Sequence, residues 1–245
     1  MRIARALALA GIASRRKSEE FIRNGAVTVN GEVVSDLGRQ VDLDRDAIAF
    51  RGRLLQTRKF VYYILHKPVG YTTTADDNHA KKTVFELLPR SFVKASRQPK
   101  ARRTRVFPVG RLDRDTTGLL LFTNDGELAN RLMHPRYRVP KSYEVRLNQA
   151  FDEKDRGKLR RGIRLAEGIV RIDKLKVLSN RVLALTLYEG KKREIRRIFE
   201  KLGYEVVKLK RFSLGPLTLG RLPEGAGRML SRDEIETLHS LTPSV

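Results

Sequence analysis

The order in which helical and strand periodicity follow one another constrains this chain more than any single residue does. Ile3, Ala6, Leu7 and Ala10 recur at helical spacing until Gly11, and Ser14 then caps a second short helix carrying Phe21 and Ile22. Asn24-Gly25 ends that helix, Val27 and Val29 alternate as a strand, and Asn30-Gly31 ahead of Val33-Val34 signals a two-residue hairpin turn. A helix-helix-hairpin unit is therefore expected to close near residue 58. From Phe60 the pattern changes. FVYYILHKPVG reads as a strand closed by Pro68 and Gly70, and Thr83 with Glu86 forms a capping box for a helix through Leu88. GLLLFTN then reads as a buried strand, NDGELANRLMH as a capped helix, SYEVRL and RVLALTLYEG as strands, and EIRRIFEKLG as a helix with Ile195, Ile198, Phe199 and Leu202 on one face. Strands and helices mix without a βαβ rhythm, which predicts an α+β domain rather than a doubly wound sheet.

The charge narrows the partner. Lys and Arg number 51 against 28 Asp and Glu in 245 residues, a formal charge of +23, which is the electrostatic footprint of a protein that binds a polyanion. No stretch approaches the apolar length of a membrane span and the amino-terminus lacks a secretory pattern, so a soluble, cytoplasmic protein is expected. Cysteine is absent, and the four histidines (His66, His79, His134 and His239) lack metal-pair spacing, so no metal site is expected. Residues 94 to 105 are dense in Lys and Arg with no acid, and are read as an exposed basic loop.

The segment VGRLDRDTTGLLLFTN, residues 109 to 124, joins a polar turn to an apolar strand without a phosphate loop. Asp113 stands at the lip of that strand with Arg111 and Arg114 on either side, cations that favour its ionised form. By spacing alone, Asp113 and Asp115 read first as carboxylates that stabilise a loop through local hydrogen bonds.

GRLDRDTTGLLLFTNDGELANRLMHP resembles the signature of the RsuA/RluB-type ribosomal RNA pseudouridine synthases, and the resemblance extends through KPVGYTTT (67 to 74), KSYEV (141 to 145) and GKKREIRRIFEKLGYEVVKLKR (190 to 211). RIARALALAGIASRRKSEEFIRNGAVTVNG likewise resembles an S4 RNA-binding domain. The basic run at 94 to 105 is the departure from the family pattern, and it bears on target choice.

The resemblance implies an S4-like domain at 1–58 and an α+β synthase domain with a largely antiparallel sheet at 60–240. It implies Asp113 as nucleophile, Arg196 as the basic residue paired with it, and Tyr143 as the aromatic that stacks on the target base. Helical geometry turns Arg196 toward the apolar face and Arg197 away from it. The remaining expectations concern RNA. Arg111, Arg114, Lys192, Arg193, Lys208 and Lys210 are expected to bind substrate, and Arg2, Arg5, Ser14, Arg15, Arg16, Lys17 and Arg23 to grip RNA from the first unit. The substrate implied is a uridine in ribosomal RNA, of the large subunit for an RluB-like member, as free RNA or in a pre-ribosomal particle. No cofactor and no obligatory protein partner are expected, and the protein is read as a monomer. The rival from another class is a non-enzymatic S4-domain RNA-binding or ribosome-assembly protein, which accounts for the charge and leaves the GRLD segment without a role.

Overall fold

The structure, a computed structural model, describes all residues except 44, 57–58, 75–81, 93–105, 167 and 241–245. The basic run at 94 to 105 thus lies outside the described residues.

Helices α1 (Ile3–Leu9) and α2 (Arg15–Arg23) open the chain. Gly11 ends the first with a φ of +75°, and the Ser14 hydroxyl accepts from Lys17 N at 3.4 Å to cap the second. Strands β1 (Val27–Val29) and β2 (Glu32–Val33) form the hairpin, with Asn30 at φ +53° and Gly31 at φ +91°, the two left-handed residues that its turn requires. Two further strands, β3 (Ile48–Phe50) and β4 (Arg53–Leu54), extend this hairpin into a sheet of order β2-β1-β3-β4. The sequence reading lacked them for a physical reason: each is too short to show alternation, and their turn places Arg51, not Asn, at φ +49°. Ile3, Leu7, Ile22, Val27, Val29 and Ile48 close a separate small core.

The second sheet is assembled from β5 (Tyr62–Lys67), β6 (Phe107–Pro108), β7 (Thr117–Thr123), β8 (Lys141–Leu147), β11 (Lys174–Ser179), β12 (Val182–Leu187), β13 (Val206–Leu214), β14 (Leu217–Thr218) and β15 (Gly227–Met229). A short ribbon of β9 (Ile163–Leu165) and β10 (Gly168–Val170) stands apart. The main order is β11-β12-β8-β13-β7-β5-β15, with β14 on β13 and β6 on β7. The fold is α+β, and the sheet is antiparallel among its described strands except where β13 meets β7, through Lys210 opposite Thr117 and Arg211 opposite Gly118. Thr83 and Glu86 do cap a turn, Thr83 N donating to Glu86 Oε1 at 2.6 Å, but Val84–Leu87 is a 3₁₀ turn rather than an α-helix.

One face of the large sheet carries Leu65, Leu120, Phe122, Val145, Leu183 and Leu185. It is covered by Leu159 of α4 (Lys154–Arg161) and by Ile195, Ile198 and Phe199 of α5 (Glu194–Lys201). Each such side chain contributes about 1.5–3 kcal/mol of burial, so Ile198→Ala is the single change that would most directly loosen α5. On the second face, Ile64, Leu119 and Leu121 pack beneath Leu128 and Leu132 of α3 (Gly126–Met133) and Leu238 of α6 (Arg232–Ser240). None of the core clusters among the described residues covers the second face of β11, β12 and β8. The two domains meet where Arg5 Nη2 contacts Glu127 Oε2 at 2.5 Å.

Candidate active site

The turn between β6 and β7 presents Asp113, and the KPVGYTTT segment holds that turn from beneath. Thr73 Oγ1 donates to Leu112 O at 2.9 Å, Gly70 N donates to Arg114 O at 2.8 Å, and Arg114 Nε donates back to Gly70 O at 3.3 Å. Lys67 is fully buried, and its ammonium donates to Thr116 O at 2.8 Å and Pro68 O at 3.0 Å. Burial pushes its pKa down to about 8, against the opposing pull of Asp115, Asp113 and Glu224. The buried cation beneath the aspartate loop is therefore Lys67, while Arg114 points its guanidinium toward Gly70 and is not on the cavity wall.

Thr116 N donates to Asp113 O at 3.1 Å, closing a turn that carries Asp113 and Asp115 to different sides of the loop. Arg196 consequently meets Asp115 and not Asp113. Its Nε lies 3.1 Å from Asp115 Oδ2 as a charge contact, its Nη2 donates to Asp115 O at 3.0 Å, and its Nη1 donates to Val206 O at 2.5 Å. Arg193 Nη1 donates to the same Oδ2 at 3.1 Å. The expected Arg196–Asp113 pair is replaced by a clamp of two arginines on Asp115. Arg197, expected to face away, is half-buried as well.

Asp113 faces a cavity of about 480 Å³, whose walls include Arg111, Tyr143, Lys192 and Arg193 from the expected residues and Lys141, Glu194 and Arg211 in addition. Tyr143 stands on β8 directly opposite Arg211 on β13, so both side chains leave the sheet on the same side. Arg211 is 2% exposed. Its Nε donates to Leu119 O at 2.9 Å, whereas its buried Nη2 has no hydrogen-bond partner among the described residues. Gly118 makes this approach possible: at φ +121°, a Cβ there would stand 2.2 Å from Arg211 O. Lys141 donates to Tyr188 O at 3.1 Å, and burial, reinforced by Arg211, pushes its pKa down. Burial pushes the Glu194 carboxyl up, its Oε2 accepts from Lys191 N at 3.2 Å, and its Oε1 has no hydrogen-bond partner among the described residues.

Lys208 and Lys210 are not on the cavity wall. They alternate on β13 with Leu209 and Arg211, which are, so strand geometry sends the two lysines to the other face of the sheet. Lys67 and Lys141 carry no site signal in the sequence, because a cation inside a strand pattern looks like a strand end. Arg211 belongs to the same cationic run as Lys208 and Lys210, and the break in the alternation of KLKR marks it as the inward one. In the first domain Arg2, Arg15, Arg16, Lys17 and Arg23 are exposed. Lys17 pairs with Glu20 at 2.7 Å, Ser14 serves as a helix cap, and Arg5 is engaged with Glu127. Among the described residues no group of three or more His, Cys, Asp or Glu is arranged to hold a metal ion, and no helix is long and apolar enough to cross a membrane.

Residues 61–201 match the RNA pseudouridylate synthase family and residues 1–46 match the S4 domain. The ribosomal large subunit pseudouridine synthase B of Bacillus subtilis is 42% identical over 98% of this chain and 96% of its own length. The protein of that description in Pseudomonas aeruginosa is 38% identical over 97% of this chain and 61% of its own length. A crystal structure of a pseudouridylate synthase superposes with a TM-score of 0.67 at 31% identity, over 97% of this chain and 99% of that one. With its aspartate loop, facing tyrosine and amino-terminal S4 domain, the chain belongs to the RNA pseudouridylate synthase family.

Proposed function

We propose that this protein converts a uridine of large-subunit ribosomal RNA to pseudouridine, with Asp113 as the nucleophile. The observation that carries the reading is the meeting of Asp113 and Tyr143 across one cavity whose other polar walls are mostly cationic. The reaction breaks the N1–C1′ bond, turns the base, forms C5–C1′ and releases the C5 proton, so it needs no redox partner. The Asp113 carboxylate attacks the base or sugar, or assists elimination at the sugar. An extruded uracil loses its stacked neighbours, and the Tyr143 ring restores about 1–3 kcal/mol of that stacking. Arg211 offers its free Nη2 to a uracil oxygen or to the charge that develops on the departing base. Arg196 acts as a positioning residue through Asp115. Arg111, Lys192 and Arg193 hold the flanking phosphates, and the exposed cations of the amino-terminal domain, read as 1–58, grip the RNA outside the target loop. The synthase domain is read as 60–240, working in the cytoplasm as a monomer on free RNA or a pre-ribosomal particle. Release of tritium from C5-labelled uridine in large-subunit ribosomal RNA, without added cofactor, tests the reading. Release from small-subunit RNA alone would move the target, and no release from either would overturn the activity.

A further inference from the structure

The second face of β11, β12, β8 and β13 is left open, and its side chains follow a regular plan. The ladder registers align Lys176, Ala184, Glu144 and Lys210 in one row, Val182, Arg146 and Lys208 in a second, and Lys174, Thr186 and Ser142 in a third. Among the strand residues of these rows, five are cations and Glu144 is the single acid. The cations fall into two lines. Lys174 and Lys176 lie on edge strand β11, and Arg146, Lys208 and Lys210 lie on β8 and β13. Between them β12 contributes the small or short side chains Val182, Ala184 and Thr186, so two cationic rails flank a flat floor roughly 10 Å wide by strand spacing.

Arg146 and Lys208 stand directly opposite each other, a like-charge pair that destabilises an antiparallel ladder. Nothing in folding selects for that repulsion, whereas an anion laid across the pair relieves it. The face starts beside the mouth of the catalytic cavity, where Lys141 and Leu187 pair, and ends about 20 Å away in a hollow lined by Arg146, Arg181, Asn148 and Asn180. Cations two residues apart on a strand repeat at about 7 Å, so each rail presents its charges as a row rather than as a single cluster.

We infer that this open sheet face is a second RNA-binding surface, separate from the S4-like domain and from the cavity, which takes the phosphate backbone of an RNA double helix. It rests on the RNA-modifying reading only for the identity of that helix as part of the substrate. A double helix fits better than a single strand because the β12 floor between the two rails, Val182, Ala184 and Thr186, carries no ring on which bases could stack.

The test compares the full-length protein with its R146Q/K174Q/K176Q variant, whose folding is checked by thermal melting. Binding to a labelled RNA duplex of ~20 base pairs and to single-stranded RNA is followed over a salt series. The variant is expected to bind the duplex at least tenfold more weakly, with the slope of log K against log salt shallower by about 2 to 3. Single-strand binding and turnover of a minimal hairpin substrate are expected to stay within twofold of the unmodified protein. An unchanged duplex affinity and slope would overturn the inference. So would new self-association with RNA binding intact, because the lysines would then be guarding edge strand β11. A wild-type protein without synthase activity would defeat the proposed function and leave this binding comparison intact.

Discussion

Asp115 Oδ2 sits 3.1 Å from Arg196 Nε, and the carbonyl of the same aspartate accepts from Arg196 Nη2 at 3.0 Å. This clamp ties the aspartate loop to α5 across 81 residues, and it separates two substitutions that the sequence makes look alike. Asp113→Asn is expected to abolish turnover while leaving the melting temperature and RNA affinity near wild type. Asp115→Asn removes the partner charge of Arg196, a side chain only 13% exposed, and is expected to cost about 1–3 kcal/mol. It should also slow turnover by about a hundredfold through misplacement of the loop. Thermal melts and single-turnover assays on both proteins check this, and an Asp115→Asn protein with unchanged stability would show that the clamp is dispensable.

Tyr143 offers a ring and a hydroxyl, which two substitutions separate. Tyr143→Phe is expected to bind substrate RNA like wild type, whereas Tyr143→Ala should lose about 1–3 kcal/mol, up to roughly a hundredfold in Kd. If the hydroxyl moves the C5 proton, Tyr143→Phe will turn over slowly while still binding. Binding isotherms combined with tritium release read both effects.

Lys67 predicts a pH dependence with a definite sign. Its folded pKa, near 8, lies below the 10.5 of a free lysine, so between those values the unfolded chain holds more proton than the native one and stability rises with pH. Below pH 8 the whole cost of the buried charge is present. The stability gap between wild type and Lys67→Met should therefore shift in favour of wild type by about 2 kcal/mol between pH 8 and pH 10. Urea unfolding of the two proteins across that range measures it, and a gap constant with pH would mean that Lys67 titrates like a solvated amine.

Glu234 carries a dependence of the same sign in the acid range. Arg228 holds it by two bonds of 2.7 Å and Ser231 N donates to it at 2.8 Å, which depresses its pKa to about 2 from the usual 4.5. Its contribution is complete above pH 4.5 and disappears as pH falls toward 2. Arg228→Gln should make α6 fray at a higher pH than in wild type, visible as early loss of amide protection in that helix.

Gly118→Ala is expected to cost about 3 kcal/mol or more, since the new methyl would meet the backbone of Arg211 rather than a movable side chain. Activity should fall further than stability alone explains, because Arg211 is the residue displaced. A variant that melts and turns over like wild type would contradict the close approach of the two strands.

The elements that were legible in the sequence share one property, a signal confined to neighbouring residues. The Asn30-Gly31 turn, the Asp125 cap of α3 and the apolar stripe of α5 each depend on residues within a turn or two. What the sequence hid depends on pairing at a distance. Lys208 and Arg211 sit three positions apart in the same strand, and only the register against β8 reveals that one lies outside and the other within the cavity. Arg196 was legible as inward-facing, but its choice of Asp115 over Asp113 follows from a turn whose direction no local pattern encodes. Arg5, counted among the RNA contacts for its charge, proves to meet Glu127, 122 residues away.

The parallel seam between β7 and β13 also sets when the site can exist. Antiparallel pairing of β5 with β7 is available as soon as residue 123 has been made, so the aspartate loop gains its supporting strand early in synthesis. Arg211 joins it only after another 88 residues, and contacts of such separation form slowly because loop closure precedes any compensating gain. A nascent or truncated chain ending before β13 would thus carry Asp113 beside a formed strand with half of its cavity missing. Completion of the polypeptide, rather than the folding of the aspartate loop, is the event that arms the enzyme.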